Sequence, residues 1–204
     1  CCKEDQGAQE VKLYLVTSNE NKLKEVRLIL PEGFDVESIE AIAPMKDIVE
    51  DAGTFFGNSL KKIEAYKDVG VPLLADDSGL VIESLGGFPG VNSARFMQNS
   101  HYSEKMQIIL DRMVNEENRA ARFVCAALFY DPSNSVLVGV EEQVEGIIAR
   151  KQTGENGFGY DPIFVPQGYS QTFGVLGDSI KKELSHRGKA FRKLFSLVHL
   201  YTGK

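Results

Sequence analysis

The sequence lacks the features that define several large classes of protein. No apolar run approaches the ~20 residues that cross a bilayer, and the first residues lack the apolar core of a signal peptide. The three cysteines show neither zinc-site spacing nor a disulfide framework. Internal repeats and linkers rich in Pro, Gly and Ser are absent as well. We therefore expect a cytoplasmic protein that has no membrane partner.

Basic charge is also scarce. The chain has 23 Lys and Arg against 29 Asp and Glu, which gives a formal net charge of -6. Binding along a nucleic acid backbone usually requires a basic face, so we expect no nucleic acid partner. A small anionic ligand remains compatible with this composition, because a few lysines can converge locally. The 204 residues, 43% of them hydrophobic, can form one core or two lobes that share one sheet.

The two ends of the chain differ in character. The opening CCKEDQGAQE is polar and lacks an initiator Met. We assign residues 1–11 to a tail that is disordered or a cloning remnant, with a lipid-modified terminal cysteine as the alternative, and residues 12–204 to a single domain. Cys125 lies in an apolar, strand-like run and is predicted to be a buried thiol.

Strand and helix patterns alternate along that domain. The spacing of apolar residues predicts helices at 21–30, 54–69 and 106–113, and a final helix whose inward residues are Phe191, Leu194, Phe195, Val198 and Tyr201. Strands are predicted at 12–17, 34–39, 71–77, 79–85, 121–130 and 135–150, the last two joined by a turn at 131–134. This mixture predicts one α/β domain around a mixed sheet.

Two adjacent carboxylates, Asp76 and Asp77, follow an apolar run in the segment LLADDSGL. Neighbouring residues of a strand point to opposite faces, so one carboxylate should face a cleft while the other flanks it or orients water. Mg²⁺ usually takes one or two carboxylates together with substrate phosphates and water. The alternative is an Asx turn, in which Asp77 or Ser78 bonds to nearby backbone before Gly79.

The segment TSNENK, residues 17–22, could bind an anion. It lies between a predicted strand and a predicted helix, where backbone N–H groups favour negative charge, and Lys22 adds a positive charge. Capping of the helix by Ser18 or Asn19 is the alternative. The segment is not a Walker loop, because GxxxxGK[ST] is absent from the chain.

Further charged residues could join this site. Glu50 precedes the Thr54 cap. Its carboxylate either interacts favourably with the helix dipole or binds a metal. Lys61 and Lys62 lie beyond the first turn of that helix, and one of them could point into a cleft. Arg95 follows the glycine-rich GGFPGVN and is a candidate phosphate partner.

Aromatic rings lie among glycines in GENGFGYDPIF. Phe158 and Tyr160 are predicted to be exposed rings able to stack on a base. The glycine order is not GxGxxG, so a dinucleotide-binding loop is not indicated. The polar edges of that base could be read by Asp161, Lys181, His186 and Arg187.

Five of these segments, TSNENK, LADDSGL, LGGFPGVNSARF, GFGYDPIF and SHRGKAF, resemble in order the signature segments of the Ham1-like inosine triphosphate pyrophosphatases. These enzymes are also called non-canonical purine nucleoside triphosphate pyrophosphatases or XTP/dITP diphosphatases. The resemblance extends over nearly the whole chain. It implies an α/β fold with a long mixed central sheet flanked by helices, two lobes around a nucleotide-binding cleft, and commonly a homodimer. The implied activity is Mg²⁺-dependent hydrolysis of ITP, dITP and XTP to the monophosphate and pyrophosphate, which removes deaminated purines from the nucleotide pool.

The resemblance also implies roles for particular residues. Asp77 matches the proposed general base and a metal ligand, Asp76 matches its acidic neighbour, and Glu50 matches a second metal ligand. Together with the segments above, the predicted substrate-binding set is Thr17, Ser18, Asn19, Lys22, Lys62, Ser78, Arg95, Phe158, Gly159, Tyr160, Asp161, Lys181, His186 and Arg187.

The chain departs from the family pattern at two places. Gly57 stands where many members carry Glu, and Glu155 with Asn156 stands where members tend to have Gly or Thr. Two other functions therefore stay open. One is a related pyrophosphatase acting on modified pyrimidine or methylated nucleotides, and the other is a nucleotide-binding sensor that has lost catalysis, for which Gly57 is the hint.

Overall fold

A computed structural model describes residues 10–202; residues 1–9 of the predicted tail, which was placed at 1–11, lie outside the described residues. The strands are β1 (Val11–Leu15), β2 (Phe34–Ser38), β3 (Leu73–Ile82), β4 (Ala120–Asp131), β5 (Val136–Ile148) and β6 (Phe164–Pro166). The helices are α1 (Glu20–Arg27), α2 (Phe55–Tyr66), α3 (Tyr102–Arg112), α4 (Phe173–Leu184) and α5 (His186–Thr202). None of these helices is long and apolar enough to cross a membrane, a finding limited to the described residues.

The six strands form one sheet in the order β2-β1-β3-β4-β5-β6. Strand β1 pairs in parallel with β2 and β3, whereas β3, β4, β5 and β6 pair antiparallel in succession. The long β4–β5 hairpin explains the antiparallel half, because a short turn can join only antiparallel strands. The predicted α/β fold with a mixed sheet is confirmed.

Separate hydrophobic clusters define two lobes along the sheet. In the first lobe, α1 and α5 cover one face around Leu13, Leu74 and Phe191, and α2 covers the other through Ile63 and Tyr66. In the second lobe, α3, α4 and β6 enclose a cluster that contains Leu80, Met106, Phe123, Phe164 and Phe173. Strands β3, β4 and β5 run through both lobes, so groups at their middle lie between the two clusters.

The predicted division of LLADDSGL into two short strands is wrong. Strand β3 runs unbroken through Ser78 and Gly79 and pairs with β4 at every residue from Leu73 to Ile82. Gly79 serves close packing rather than a turn: a Cβ there would lie 2.5 Å from Ser93 Oγ and 2.9 Å from Phe55 Cε1. The Asx turn is therefore not formed, although Asp77 Oδ1 does accept a hydrogen bond from the Ser78 N–H at 3.0 Å.

Other differences follow from the ends and interruptions of elements. Strand β1 begins at Val11, inside the predicted tail, because Val11 pairs with Phe34 of β2. Strand β6 and helix α4 were not predicted; Gly177, at φ 76°, interrupts α4 and hides its periodicity. Cys125 is buried as predicted, as are Phe191, Leu194, Phe195 and Val198 of α5. The side chain of Tyr201 lies outside the described residues.

Candidate active site

A cleft with a volume of about 520 Å³ lies between the two lobes. Nearly all the predicted site residues line it: Thr17, Ser18, Asn19, Lys22, Glu50, Lys62, Asp77, Ser78, Arg95, Phe158, Gly159, Tyr160, Asp161, Lys181, His186 and Arg187. Asp76 is the exception. It is buried behind the cleft wall, with a side chain only 1% exposed.

The free edge of β3 forms the floor of this cleft. Strand β1 pairs with β3 at Leu73 and Leu74 and does not follow it further. The carbonyl oxygen of Asp76, just beyond that point, accepts hydrogen bonds from Lys62 Nζ at 2.8 Å and Lys22 Nζ at 3.4 Å. Because β1 separates from β3 beyond Leu74, the backbone edge of β3 is free there, and the side chains of Lys22 and Lys62 bond to it.

Asp76 organises the positive charge behind the cleft. Its Oδ2 forms ion pairs with Lys22 Nζ at 3.0 Å and Arg187 Nε at 3.2 Å, and Cys125 Sγ lies 3.9 Å away. Burial by itself raises the pKa of the Asp76 carboxyl, but the charges of Lys22 and Arg187 outweigh it and hold that pKa well below its ordinary value. Asp76 is thus an ionised anchor for two cations.

Asp77 has the opposite electrostatic character. Its Oδ2 accepts a hydrogen bond from Asn58 Nδ2 at 2.9 Å, and its nearest cation, Lys62, is 3.9 Å from Oδ1. Burial raises the pKa of Asp77 above its ordinary value, and the lowering effects of Lys62 and Lys22 do not cancel it. Two neighbouring carboxyls whose pKa values are displaced in opposite directions are a common arrangement for an anchor and a proton acceptor.

Glu50 brings a second carboxylate to the same end of the cleft. Its Oε1 pairs with Lys62 Nζ at 2.9 Å, and its Oε2 pairs with Arg95. Burial alone would raise the pKa of Glu50, but Lys62 and Arg95 hold it below its ordinary value. Lys62 Nζ thus lies between Glu50 and Asp77, so the two carboxylates share a cationic position. Lys61 turns away to pair with the exposed Asp51.

The turn before α1 combines capping with a place in the cleft wall. Asn19 Oδ1 accepts hydrogen bonds from the N–H groups of Asn21 at 3.0 Å and Lys22 at 3.3 Å, so Asn19 is the helix cap. Thr17 Oγ1 accepts a hydrogen bond from the Asn19 N–H at 3.1 Å. Ser18 is exposed. This segment therefore both caps α1 and lines the cleft.

A second group of residues lines the other end of the cleft around the ring of Phe158. Lys181 Nζ lies 4.3 Å from that ring centroid and the Arg187 guanidinium 5.6 Å from it, in cation–π geometry. Asp161 Oδ2 accepts hydrogen bonds from Lys181 Nζ at 2.6 Å and from the Phe158 N–H at 2.8 Å. The half-buried ring of Phe158 is therefore held by charged groups on its inner side.

The prediction that Tyr160 is an exposed ring is wrong. Tyr160 is 3% exposed, and its hydroxyl donates a hydrogen bond to the Ser93 carbonyl oxygen at 2.8 Å. Tyr102 of α3 packs against it edge-on, with ring centroids 5.2 Å apart. Because its ring and its hydroxyl both have partners in the second lobe, Tyr160 is a buried part of the cleft wall.

His186 and Arg187 begin α5 at the back of the cleft. His186 stacks on Phe123 with ring centroids 4.7 Å apart, and its buried Nδ1 has no hydrogen-bond partner among the described residues. Burial, then the charges of Arg187 and Lys181, lower the pKa of His186 well below its ordinary value, so the ring is neutral at neutral pH. Arg187 Nη2 donates to Ser78 Oγ at 2.7 Å.

Two partners of these groups, the partly buried Glu25 and the buried Asn58, were missed from the sequence. Glu25 of α1 forms ion pairs with Lys181 at 2.5 Å and with Arg187, and Asn58 of α2 contacts Asp77. Both lie one helical turn from a predicted residue, since Glu25 follows Lys22 by three positions and Asn58 precedes Lys62 by four. Residues at these spacings share a helix face, and that signal could have found them.

The fold and the site define an α/β protein whose interlobe cleft presents lysine and carboxylate groups at one end and a cation-flanked aromatic ring at the other. A model of the Ham1 family matches residues 13–197. The chain belongs to the Ham1 family.

Similar proteins support this membership along almost the full length. The dITP/XTP pyrophosphatase of Aquifex aeolicus is 38% identical over 201 residues, which cover 92% of this chain and 96% of that protein. The dITP/XTP pyrophosphatase of Exiguobacterium sp. is 41% identical over 187 residues, with coverages of 90% and 95%.

Solved structures agree with the same fold. A HAM1 protein from Coxiella burnetii superposes with a TM-score of 0.82 at 34% identity, over 92% of this chain and 98% of that one. The Ham1 protein of Staphylococcus aureus gives a TM-score of 0.81 at 31% identity, over 94% and 98%.

Proposed function

We propose that this protein hydrolyses non-canonical purine nucleoside triphosphates, namely ITP, dITP and XTP, to the monophosphate and pyrophosphate. The similar proteins from Aquifex aeolicus and Exiguobacterium sp., which support this proposal, are named dITP/XTP pyrophosphatases. The observation that carries the proposal is the arrangement of one cleft, with Glu50, Lys62 and Asp77 at one end and Phe158 with Lys181 at the other. Such a cleft suits a ligand that has a polyphosphate at one end and a base at the other.

The proposed chemistry is attack of water on the α-phosphorus. Asp77 accepts a proton from the water while the new oxygen–phosphorus bond forms, and the bond from the α-phosphorus to the bridging oxygen breaks to release pyrophosphate. The raised pKa of Asp77 brings this carboxyl closer to neutral pH, which favours a general base. Lys22 and Lys62 would pair with phosphate oxygens, a charge interaction that stabilises the developing negative charge.

We propose Mg²⁺ as the cofactor, held by Glu50 and Asp77. Their carboxylates supply the oxygen atoms that Mg²⁺ prefers, and Lys62 Nζ already marks a cationic position between them. Between residues 10 and 202, no three His, Cys, Asp or Glu side chains form a metal-binding group. The proposed site would use the two carboxylates together with substrate phosphates. When bound, the ion would neutralise charge on the phosphates.

The base end of the cleft suggests how 6-oxo purines would be preferred. Lys181 is a donor beside the Phe158 ring, and it could donate to O6 of hypoxanthine or xanthine. Adenine presents a 6-amino group, which is a hydrogen-bond donor, at the same place. It would therefore face the Lys181 ammonium, also a donor, and a buried donor without an acceptor costs binding free energy. The neutral His186 adds an unpartnered Nδ1 near this end.

The location and assembly of the protein are further proposals. Nucleoside triphosphates are held in the cytoplasm, which we propose as the place of action. We propose a homodimer from the family resemblance alone. The net charge of -6 supports a small-molecule substrate rather than nucleic acid, and we propose no membrane partner.

Pyrophosphate release across a panel of ITP, dITP, XTP, dUTP, methylated triphosphates and ATP, with and without Mg²⁺, tests the proposal. We expect rapid release from the three non-canonical purines, and only with Mg²⁺. Preference for dUTP or methylated substrates would instead establish the related pyrophosphatase. Tight ITP binding without release would establish the sensor that Gly57 hints at.

A further inference from the structure

The carboxamide of Asn58 joins two segments that are far apart in sequence. Asn58 lies on α2 and is completely buried. Its Nδ2 donates to Asp77 Oδ2 on β3 at 2.9 Å, and its Oδ1 accepts from the N–H of Ala52 at 3.1 Å. Ala52 is two residues from Glu50. One side chain therefore holds both carboxylate-bearing segments.

The segment that carries Glu50 is held in place by side chains. Residues 43–54 form neither helix nor strand, so their position depends on side-chain anchors rather than on a backbone ladder. On α2, Lys62 pairs with Glu50 itself, and Lys61 donates to the Val49 carbonyl oxygen at 3.1 Å and pairs with Asp51. Farther from Glu50, the buried Tyr66 hydroxyl bonds to Pro44 and Lys46. Val49 and Asp51 are exposed, where ion pairs contribute little. Asn58 supplies the buried hydrogen bond to the backbone beside Glu50.

The same carboxamide also sets the orientation of Asp77. Asp77 Oδ1 accepts from the Ser78 N–H at 3.0 Å while Oδ2 accepts from Asn58. With both oxygens engaged, rotation of the carboxylate would break at least one hydrogen bond. A carboxamide is needed for this double role, because it presents a donor and an acceptor at its two ends.

Building on the proposed function, we propose that Asn58 is a positioning residue that sets Glu50 and Asp77 at the spacing required to share one metal ion and the substrate phosphates. Asn58 does not line the cleft and is fully buried. It acts through the two carboxylates, as supporting partners of metal ligands commonly do.

Two variants of Asn58 and one control test this role. Asn58→Leu removes both hydrogen bonds at similar volume. Asn58→Asp keeps the acceptor for the Ala52 N–H and loses the donor to Asp77, and it is close enough in shape to fold if the leucine variant does not. Ser59→Ala is the matched control: Ser59 is the buried neighbour on α2, and its hydroxyl donates to the Ala126 carbonyl oxygen at 2.9 Å.

Two measurements separate positioning from a general structural role. For ITP hydrolysis, we expect both Asn58 variants to lower kcat by ~10–100-fold and to raise the Mg²⁺ concentration for half-maximal rate, whereas KM at saturating Mg²⁺ changes by less than about 3-fold. Hydrogen exchange of the Ala52 amide in the metal-free protein should accelerate in Asn58→Leu and change less in Asn58→Asp, because only the latter retains an acceptor for the Ala52 N–H.

The outcomes distinguish this inference from the proposed function. Parental kcat and Mg²⁺ dependence in a folded Asn58 variant, or equal losses in Ser59→Ala, would overturn the positioning role. If the parent protein itself releases no pyrophosphate, the proposed function fails, and unchanged exchange of the Ala52 amide in Asn58→Leu would then overturn the anchor independently.

Discussion

Asp76 and Asp77 are neighbours on one continuous strand, and their carboxylates have different partners and opposite pKa displacements. Asp76 pairs with Lys22 and Arg187, whereas Asp77 bonds to Asn58. The alternation of side chains along a strand separates the two groups, so no cation among the described residues forms an ion pair with both carboxylates. One can remain ionised as an anchor while the other is available to accept a proton.

Replacement of Asp77 by Asn should abolish most of the activity while preserving the fold. The amide cannot accept the proton of water, and loss of a general base typically costs ~10²–10⁴-fold in rate. Pyrophosphate release from ITP measures the loss, and thermal unfolding measures the fold. Asp111→Asn, at an exposed aspartate of α3, is the control and should keep the parental rate. Near-normal turnover by Asp77→Asn would remove Asp77 from the chemistry.

Replacement of Lys181 by Ala should weaken discrimination at the base end. Lys181 lies over Phe158 and is buried with Glu25 and Asp161, so its loss removes the proposed donor to O6. We expect the ratio of kcat/KM for ITP to that for ATP to fall by ~10-fold or more, since a good hydrogen-bond contact discriminates by about 1–3 kcal/mol.

The adjacent Lys182 provides the matched control for this experiment. Lys182 is exposed, so Lys182→Ala removes the same charge without touching Phe158. An unchanged ITP-to-ATP ratio in Lys181→Ala, or the same loss in both variants, would show that the donor lies elsewhere.

Replacement of Gly79 by Ala should destabilise the protein. The added methyl group would collide with the Gly90 carbonyl oxygen, Ser93 Oγ and the Phe55 ring, and overpacking of this kind costs about 1–3 kcal/mol. Urea unfolding should show a lower midpoint with an unchanged slope. A parental midpoint would mean that the loop carrying Ser93 can move away without cost.

Acidification should destabilise the protein through His186. The pKa of His186 is well below its ordinary value in the native state, so below pH ~6.5 the unfolded chain binds a proton that the native chain does not. The free energy of unfolding therefore falls as pH falls, by up to ~1.4 kcal/mol per pH unit, until the lowered native pKa is reached.

Urea unfolding between pH 5 and pH 8 checks this dependence. His186→Asn should be less stable at every pH, because it loses the stacking on Phe123, but its stability should fall less steeply with acid than that of the parent. The exposed His101 offers the control, and His101→Asn should keep the parental slope. Parallel curves for the parent and His186→Asn would contradict the argument.

Much of the fold was accessible from local pattern. The Thr54 cap and the stop at Gly70 predicted α2, although the α-helix ends at Tyr66 and a 3-10 turn follows it to Val69. The apolar runs at 121–130 and 135–150 predicted β4 and β5. Local pattern failed at Gly79. Glycine is frequent in turns, but here it lies within a strand and allows the segment that contains Gly90 and Ser93 to pack closely against it. Local pattern failed also at α4, where Gly177 breaks the helical repeat.

The sequence by itself determined most of the elements, the motifs and the chemical types of the site residues, because periodicity, capping and composition are local properties. The tertiary structure decided which charges pair. Asp76 meets Arg187 across 111 positions, and Glu25 meets Arg187 across 162. It also placed Tyr160 inside the second lobe and Asn58 between Ala52 and Asp77. Ion pairing, desolvation and pKa displacement depend on distances between residues remote in the chain, and only packing of the two lobes sets those distances.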